Sequence, residues 1–239
     1  MSILPQAFMH PVKQLINQIM NQSIPGSCLL CASDCGTGLI CRNCEADLPL
    51  SSIAHCPQCG EQTTHGERCG ACLVEAPHFD RTIALYSYEF PIDKIIRSFK
   101  YGHQLAVANW IGQRLSLRID APIDVIVPLP LHPERLRERG FNQSVEIAAV
   151  IGKCLNLPVH RSTLKRSRAT PHQTGLLPKE RKKNVRGAFE CNADYSNKTI
   201  LLLDDVMTTG ATLNECARVL KQHGATSVIA AVAARAQKH

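Results

Sequence analysis

Thr199–Leu213, TILLLDDVMTTGATL, is the stretch that decides the fold. It runs from apolar residues into two adjacent carboxylates, Asp204 and Asp205, and then into small residues from Thr208 to Thr212. Three readings compete for it. A Walker-type strand also ends in an acid, but it needs a G-x-x-x-x-G-K-[ST] partner. The nearest stretch, IGKC at 151–154, lacks the first glycine and the hydroxyl residue. A plain core strand followed by a polar turn would leave two carboxylates beside a tight loop with nothing to hold. The third reading uses every residue. Thr208, Thr209, Gly210, Ala211 and Thr212 are small enough for successive backbone N–H groups to converge on an anion, with threonine hydroxyls as extra donors. A helix starting near Ala211 would aim its N-terminus at the same point. Upstream, the paired carboxylates can accept hydrogen bonds from a vicinal diol. A phosphate and a diol a few ångströms apart describe a ribose 5-phosphate.

Outward from this stretch, the chain from Phe79 alternates between strand and helix patterns. RTIALYSYEF (81–90) alternates like a strand, and PIDKIIRSFKYG (91–102) begins with proline at helix N1 and ends on a C-capping glycine. Helical period continues in LAVANWIGQRLSLRI (105–119) and FNQSVEIAAVIGKCLN (141–156), with a buried strand, PIDVIVPLP (122–130), between them. KTILLLDD, ATLNECARVLKQHG and ATSVIAAVAAR then read as strand, helix and strand. Alternating β and α elements predict an α/β fold, a parallel sheet with helices on both faces. Ligands of such sheets bind beyond the carboxyl ends of strands. The loops after Pro128 and Leu203 both lie there.

The N-terminal third has a different texture. Eight of the twelve cysteines form four C-x-x-C pairs: Cys28/Cys31, Cys41/Cys44, Cys56/Cys59 and Cys69/Cys72. Nine residues separate the first pair from the second and the third from the fourth, so the unit repeats after 28 residues. Two knuckles converging on one point make a tetrahedral S4 shell, the preference of structural zinc. Disulfides are the competing explanation, but they do not suit a cytosolic chain. Redox C-x-x-C pairs do not account for the matched gaps. Two zinc ions are expected, in sequential rather than cross-braced grouping, each shell closed and without an open position for substrate. Cys35 falls outside the pattern and could replace a neighbour as ligand. Cys154, Cys191 and Cys216 read as small apolar residues.

Composition and charge bound the rest. The chain has 239 residues, 44% of them hydrophobic and only 5% aromatic, which suits an α/β core. Residues 1–24 read as an amphipathic helix with Phe8, Val12, Leu15, Ile16 and Ile19 on one face, without the apolar run of a signal peptide. No segment has the ~18 apolar residues of a membrane span, and a cytoplasmic location is expected. Net charge is +7, and between Arg161 and Arg186 nine cations stand against the single acid Glu180, a local +8. Such a segment favours a polyanionic partner, although a merely solvated loop has the same composition.

The central stretch resembles the phosphoribosyl-pyrophosphate (PRPP) loop of type I phosphoribosyltransferases: four apolar residues, Asp-Asp, two apolar residues, Thr-Thr-Gly-x-Thr. VPLPLHPERLRERGFNQS, TPHQTGLLPKERKKNVRGAF and the cysteine module are similar to the ComF/GntX family, whose members are linked to natural competence and the use of external DNA. The resemblance implies a type I phosphoribosyltransferase fold over 79–239, preceded by a double zinc ribbon over 25–78. It implies that Asp204 and Asp205 hold the ribose hydroxyls and that 208–212 cradles the 5′-phosphate. HPERLRERG would form the pyrophosphate loop, with Arg139 the first choice of catalytic cation and Arg135 and Arg137 beside it; Arg137 is expected to bind PRPP. The basic segment would supply a mobile loop that closes over substrate, with Lys165, Arg168, Gln173 and Arg181 as candidates. Lys100 could reach phosphate too, but a helix-end lysine more commonly snorkels. Magnesium is expected to arrive with PRPP. Two functions of different class remain: a transferase acting on PRPP and an unidentified acceptor, or a non-catalytic adaptor that grips single-stranded DNA, or binds competence-machinery proteins, and responds to PRPP. Few aromatics are available for base stacking, which weighs against the adaptor.

Overall fold

In the computed structural model, residues 26–51, 54–168 and 184–237 are described. The expected helix over 1–24 and the candidates Gln173 and Arg181 lie outside them. The sheet is built around β5 (Thr199–Met207), whose residues Ile200 to Leu203 are fully buried. Its neighbours are β6 (Ser227–Arg235) and β2 (Val125–Pro128), and β1 (Arg81–Ser87) completes the order β1-β6-β5-β2. All three pairings are parallel, with Leu203 opposite Pro128 on one side and Ala231 on the other. Runs of Ile, Leu and Val in the central strands follow from this, because a parallel sheet is covered on both faces.

Alternate residues of β5 serve opposite faces. Ile200 and Leu202, with Val228, Ala230 and Val232 of β6, pack in one cluster with Leu213, Cys216, Ala217 and Leu220 of α7 (Ala211–Gln222). Leu201, Leu203 and Ile126 point the other way, where α6 (Gln143–Leu155) lies. Gly152 of α6 lets the helix sit close: a Cβ there would be 3.8 Å from Ile126 Cδ1 and 2.5 Å from Val159 Cγ2. Against α6 packs α4 (Ala106–Ser116), at a crossing where a Cβ on Gly112 would meet Val150 at 2.6 Å. Each fully buried Leu or Ile in these layers contributes ~1.5–3 kcal/mol relative to exposure. Helices α3 (Ile92–Tyr101) and α5 (Pro133–Arg139) complete the sheet's surroundings, and β3 (Leu164–Arg166) pairs antiparallel with β4 (Phe189–Cys191). Pro91 is the N-cap of α3, one position before the expected N1, and Gly102 is its C-cap. Cys216 is buried as expected, whereas Cys154 is exposed on α6.

The compact units do not follow the motif boundaries. One ends at Leu48 and the other begins at Pro49, between the two cysteine quartets. The smaller unit holds the first quartet and a short helix, α1 (Arg42–Ala46), with its knuckle closed by Cys28 N–H to Ser33 O at 2.7 Å and Leu29 N–H to Leu39 O at 3.0 Å. The second quartet and its helix α2 (Gly70–Val74) belong with the sheet. The reason is hydrogen bonding to β1: Thr82 N–H donates to Pro57 O at 3.1 Å, and its hydroxyl donates to Gln58 O at 2.6 Å.

Candidate functional site

A cleft of about 480 Å³ opens at the carboxyl ends of β2 and β5. Its floor is Asp204 and Asp205; its rim is Thr208 to Leu213, and Leu129 to His132, Glu134, Arg135, Glu138 and Arg139 face them together with Tyr88, Lys100 and Arg166. The loop takes its shape from Gly210, the N-cap of α7, at φ 75°. The left-handed backbone favours glycine; a Cβ there would stand 2.6 Å from Met207 Cε, the movable end of a flexible side chain. Gly210 O accepts the first bond of α7, from Asn214 N–H at 2.8 Å, and Ala211 N–H reaches Thr209 Oγ1 at 3.4 Å. The start of a twelve-residue helix therefore faces the cleft, where its N–H groups and dipole favour an anion.

The two carboxylates differ in surroundings. Asp205 is buried and receives Lys100 Nζ on both oxygens, at 3.0 and 2.9 Å. Asp204 accepts Ser144 Oγ–H at 3.2 Å and Asp205 N–H at 2.8 Å through one oxygen, Oδ1. Burial first, and then the charge of Asp205, push its carboxyl up to about 7, with Lys100 pulling the other way. Lys100 therefore reaches into the cleft and pairs with Asp205 instead of snorkelling.

Of the candidate cations, Arg139 is buried in the cleft wall. It donates to Gln143 Oε1 at 3.1 Å and Tyr101 Oη at 3.3 Å, and its guanidinium lies 5.2 Å from the Tyr101 ring centroid. Arg135 lines the same cleft, but Arg137 is exposed and does not. Period 3.6 explains this: residues 135 and 139 share a face of α5 and 137 lies opposite. Lys165 is exposed on β3, while Arg166, its neighbour of opposite strand phase, lines the cleft. Arg166 is held below its ordinary pKa, by burial first and then by the like charge of Arg135. Arg168 is exposed and donates to Asn184 O at 3.3 Å and Arg186 O at 2.9 Å, bracing backbone rather than lining the cleft. Sequence reasoning passed over Arg166, Ser144 and Tyr88. Helical and strand phase could have pointed to Arg166; Ser144 and Tyr88 carry no local signal.

The eight C-x-x-C cysteines separate into Cys28/Cys31/Cys41/Cys44 and Cys56/Cys59/Cys69/Cys72, the sulfurs of each quartet lying within 4.8 Å of one another. Cys31–Cys41 and Cys59–Cys69 sulfurs are 3.7 and 3.5 Å apart. A tetrahedron with Zn–S of ~2.3 Å has edges of ~3.8 Å, so both quartets fit zinc. Against the effect of burial, backbone amides of Cys41, Cys31 and Leu30 hold the Cys28 thiol down to about 6, and those of Cys69, Cys59 and Gln58 hold Cys56 at about 7. Those bonds favour one thiolate in each quartet; the neighbouring Cys31 sulfur holds the Cys44 thiol well above its ordinary range, and burial does the same for Cys72. Cys35 stands outside, its thiol donating to Gly26 O at 3.2 Å and Gly38 O at 2.9 Å.

A double zinc ribbon joined to a phosphoribosyl transferase domain is the class that these features define. The family model for a double zinc ribbon domain matches residues 19–73, and that for a phosphoribosyl transferase domain matches 136–239. The chain is 31% identical over 218 residues to the DNA utilization protein YhgH of Escherichia coli, covering 86% of this chain and 95% of that one. It is 29% identical over 201 residues to competence protein F of Haemophilus influenzae (79% and 87% covered), and 28% identical over 200 residues to the competence protein ComFC of Bacillus subtilis (77% and 79%). The chain belongs to the ComF/GntX family, that of these competence and DNA utilization proteins. No helix among the described residues is long and apolar enough to cross a membrane.

Proposed function

We propose that the cleft binds PRPP and transfers its phosphoribosyl group to an acceptor in the use of external DNA. One observation carries the reading: a carboxylate pair and a helix-terminal loop of small residues share one cleft with Arg135, Arg139 and Arg166. In this reading Asp204 and Asp205 accept the ribose 2′ and 3′ hydroxyls, and the N–H groups and hydroxyls of 208–212 hold the 5′-phosphate. The bond from C1 of the ribose to the pyrophosphate oxygen breaks. A bond to the acceptor nucleophile forms, and the acceptor releases a proton. Arg139, together with Arg135 and Arg166, stabilises the charge that collects on pyrophosphate. The mutual repulsion of Arg135 and Arg166 is relieved by such an anion. Magnesium arriving with the pyrophosphate would supply further neutralisation of that charge.

Titration with PRPP, with and without magnesium, tests the site, and release of pyrophosphate against a panel of bases and DNA tests the reaction. Binding should disappear in Asp204→Asn/Asp205→Asn; persistence of binding there sinks the site. A second reading, a non-catalytic single-stranded DNA adaptor, is favoured by the exposed cations Arg161, Lys165 and Arg168 that begin the +8 segment. That reading requires DNA affinity that falls steeply with salt. DNA affinity indifferent to salt would remove it.

A further inference from the structure

Arg235, the last residue of β6, is 2% exposed, and its guanidinium joins three separate parts of the chain. Nε donates to Cys59 O at 3.0 Å, and Nη2 pairs with Glu61 Oε2 at 2.8 Å. Nη1 donates to Met207 O at 3.3 Å and to the carbonyls of Thr208 and Ala236. Cys59 belongs to the second quartet, and Met207 and Thr208 open the loop at the cleft. Donors on a guanidinium are fixed in one plane, so the knuckle carbonyl and the loop carbonyls cannot shift relative to each other without breaking bonds.

A second chain of contacts runs parallel to the first. Gln58, inside the knuckle, donates through Nε2 to Phe79 O at 3.4 Å, and Phe79 Cζ lies 3.8 Å from the Cβ position of Gly210. Crowding keeps the knuckle in place: a Cβ on Gly60 would be 3.2 Å from Thr82 Cγ2 and 3.7 Å from Arg235.

We propose that Arg235 is a positioning residue that couples the metal at Cys56/Cys59/Cys69/Cys72 to the conformation of the 207–212 loop. Affinity for a ribose phosphate then depends on the second zinc and not on the first. The proposal rests on the reading of that loop as a phosphate cradle. Coupling between two sites is reciprocal: a ligand in the cleft tightens zinc at the second quartet by the same factor as zinc tightens the ligand.

Three measurements on the full chain test this: equilibrium zinc competition with a chelator, with and without PRPP or ribose 5-phosphate; ligand affinity; and amide exchange over 207–212. In the wild type, ligand should raise the affinity of one of two zinc sites by about 5- to 150-fold, the usual range of coupling. Cys41→Ser should abolish the unaffected site and leave that coupling intact. Arg235→Lys and Glu61→Gln should retain two zinc ions, exchange faster over 207–212, and lose most of the coupling. Lysine cannot span Cys59 O, Glu61 and Thr208 O together, and glutamine leaves the guanidinium without its anion. Should Arg235→Lys fail to fold, Glu61→Gln alone decides. Loop exchange and coupling unchanged in these variants overturn the proposal, as does a Cys41→Ser protein whose loop exchanges as fast as theirs. If the wild type binds neither PRPP nor ribose 5-phosphate, the function proposed above fails, while loop exchange in Glu61→Gln and Arg235→Lys still decides whether the knuckle holds the loop.

Discussion

Two cysteine quartets with the same spacing end up in different company. The first closes its knuckle through its own backbone, in a unit that ends at Leu48. The second, 28 residues on, is fastened to β1 through Thr82 and to β6 through Arg235, and belongs to the unit that contains the cleft. Motif spacing dictates how four sulfurs meet one metal. What surrounds the metal is dictated by the residues that the fold brings alongside. A duplicated motif is therefore no guarantee of a duplicated task.

Removing each shell is the largest test of this contrast. Cys44→Ser and Cys72→Ser should each reduce zinc from two to one per chain. In Cys72→Ser the sheet-bearing unit loses stability on the order of 4 kcal/mol, the range in which loss of a metal site falls. Calorimetry should register that as a drop of roughly 10 °C for a unit of this size. In Cys44→Ser the main transition should stay within about 2 °C. Equal drops would break the comparison.

The cleft sharpens it further. Asp204, pushed up to about 7, carries a proton below that pH and loses it above. A ribose diol needs the ionised acceptor, so affinity for ribose 5-phosphate should rise with pH, by at most about tenfold per unit below the midpoint. Lys100→Met removes the cation that lowers this pKa, and the rise should move to higher pH. Asp204→Asn should flatten the part of the profile that belongs to the protein. In Cys44→Ser the profile should superimpose on the wild type; a displaced midpoint would tie the first quartet to the cleft.

One glycine from each unit tests the contrast; the position that matches Gly60 in the 28-residue repeat is Ala32, already at φ 61°. Gly36 and Gly60 both sit in the left-handed region, at φ 59° and 68°. Alanine at either costs about 1–2 kcal/mol of backbone strain. At Gly36 nothing lies within 4 Å of the new methyl, whereas at Gly60 it meets Thr82 at 3.2 Å. Thermal melts should therefore show the larger loss for Gly60→Ala, and only that variant should weaken ribose phosphate binding. The smallest effect is expected from Cys35→Ser. A serine hydroxyl can donate to the same carbonyls, so two zinc ions should remain and stability should change by less than about 1 kcal/mol. Loss of a zinc in this variant would make Cys35 a ligand.

The elements of the sheet were legible because their signals are local. Buried apolar runs mark β2, β5 and β6, the first ending at Pro128, and α7 ends at Gln222 just before Gly224, whose φ of 93° and Cβ position 2.7 Å from Ser196 Oγ admit only glycine. Likewise, Asp204 to Thr212 are contiguous, so their convergence on one point could be read directly. Lys100 could not be read this way. Its partner is 105 residues distant, and a lysine at a helix end has the same local pattern whether it snorkels or points into a cleft. Arg135 and Arg166 sit between: phase within α5 and β3 places them, once the cleft side of each element is known.

By itself, the sequence determined the strand–acid–small-residue signature, the alternation that makes a parallel sheet, and the sequential grouping of the cysteines. Each depends on contacts within a few residues or on a fixed period, and backbone geometry alone carries those. Tertiary structure decided that the second quartet joins the sheet and the first does not, that Lys100 faces Asp205, and that Arg235 links a metal knuckle to the loop. These facts depend on donors and acceptors from 24 to 176 residues apart. Only the packed chain brings such groups within hydrogen-bond range, and only burial makes leaving them unpaired costly.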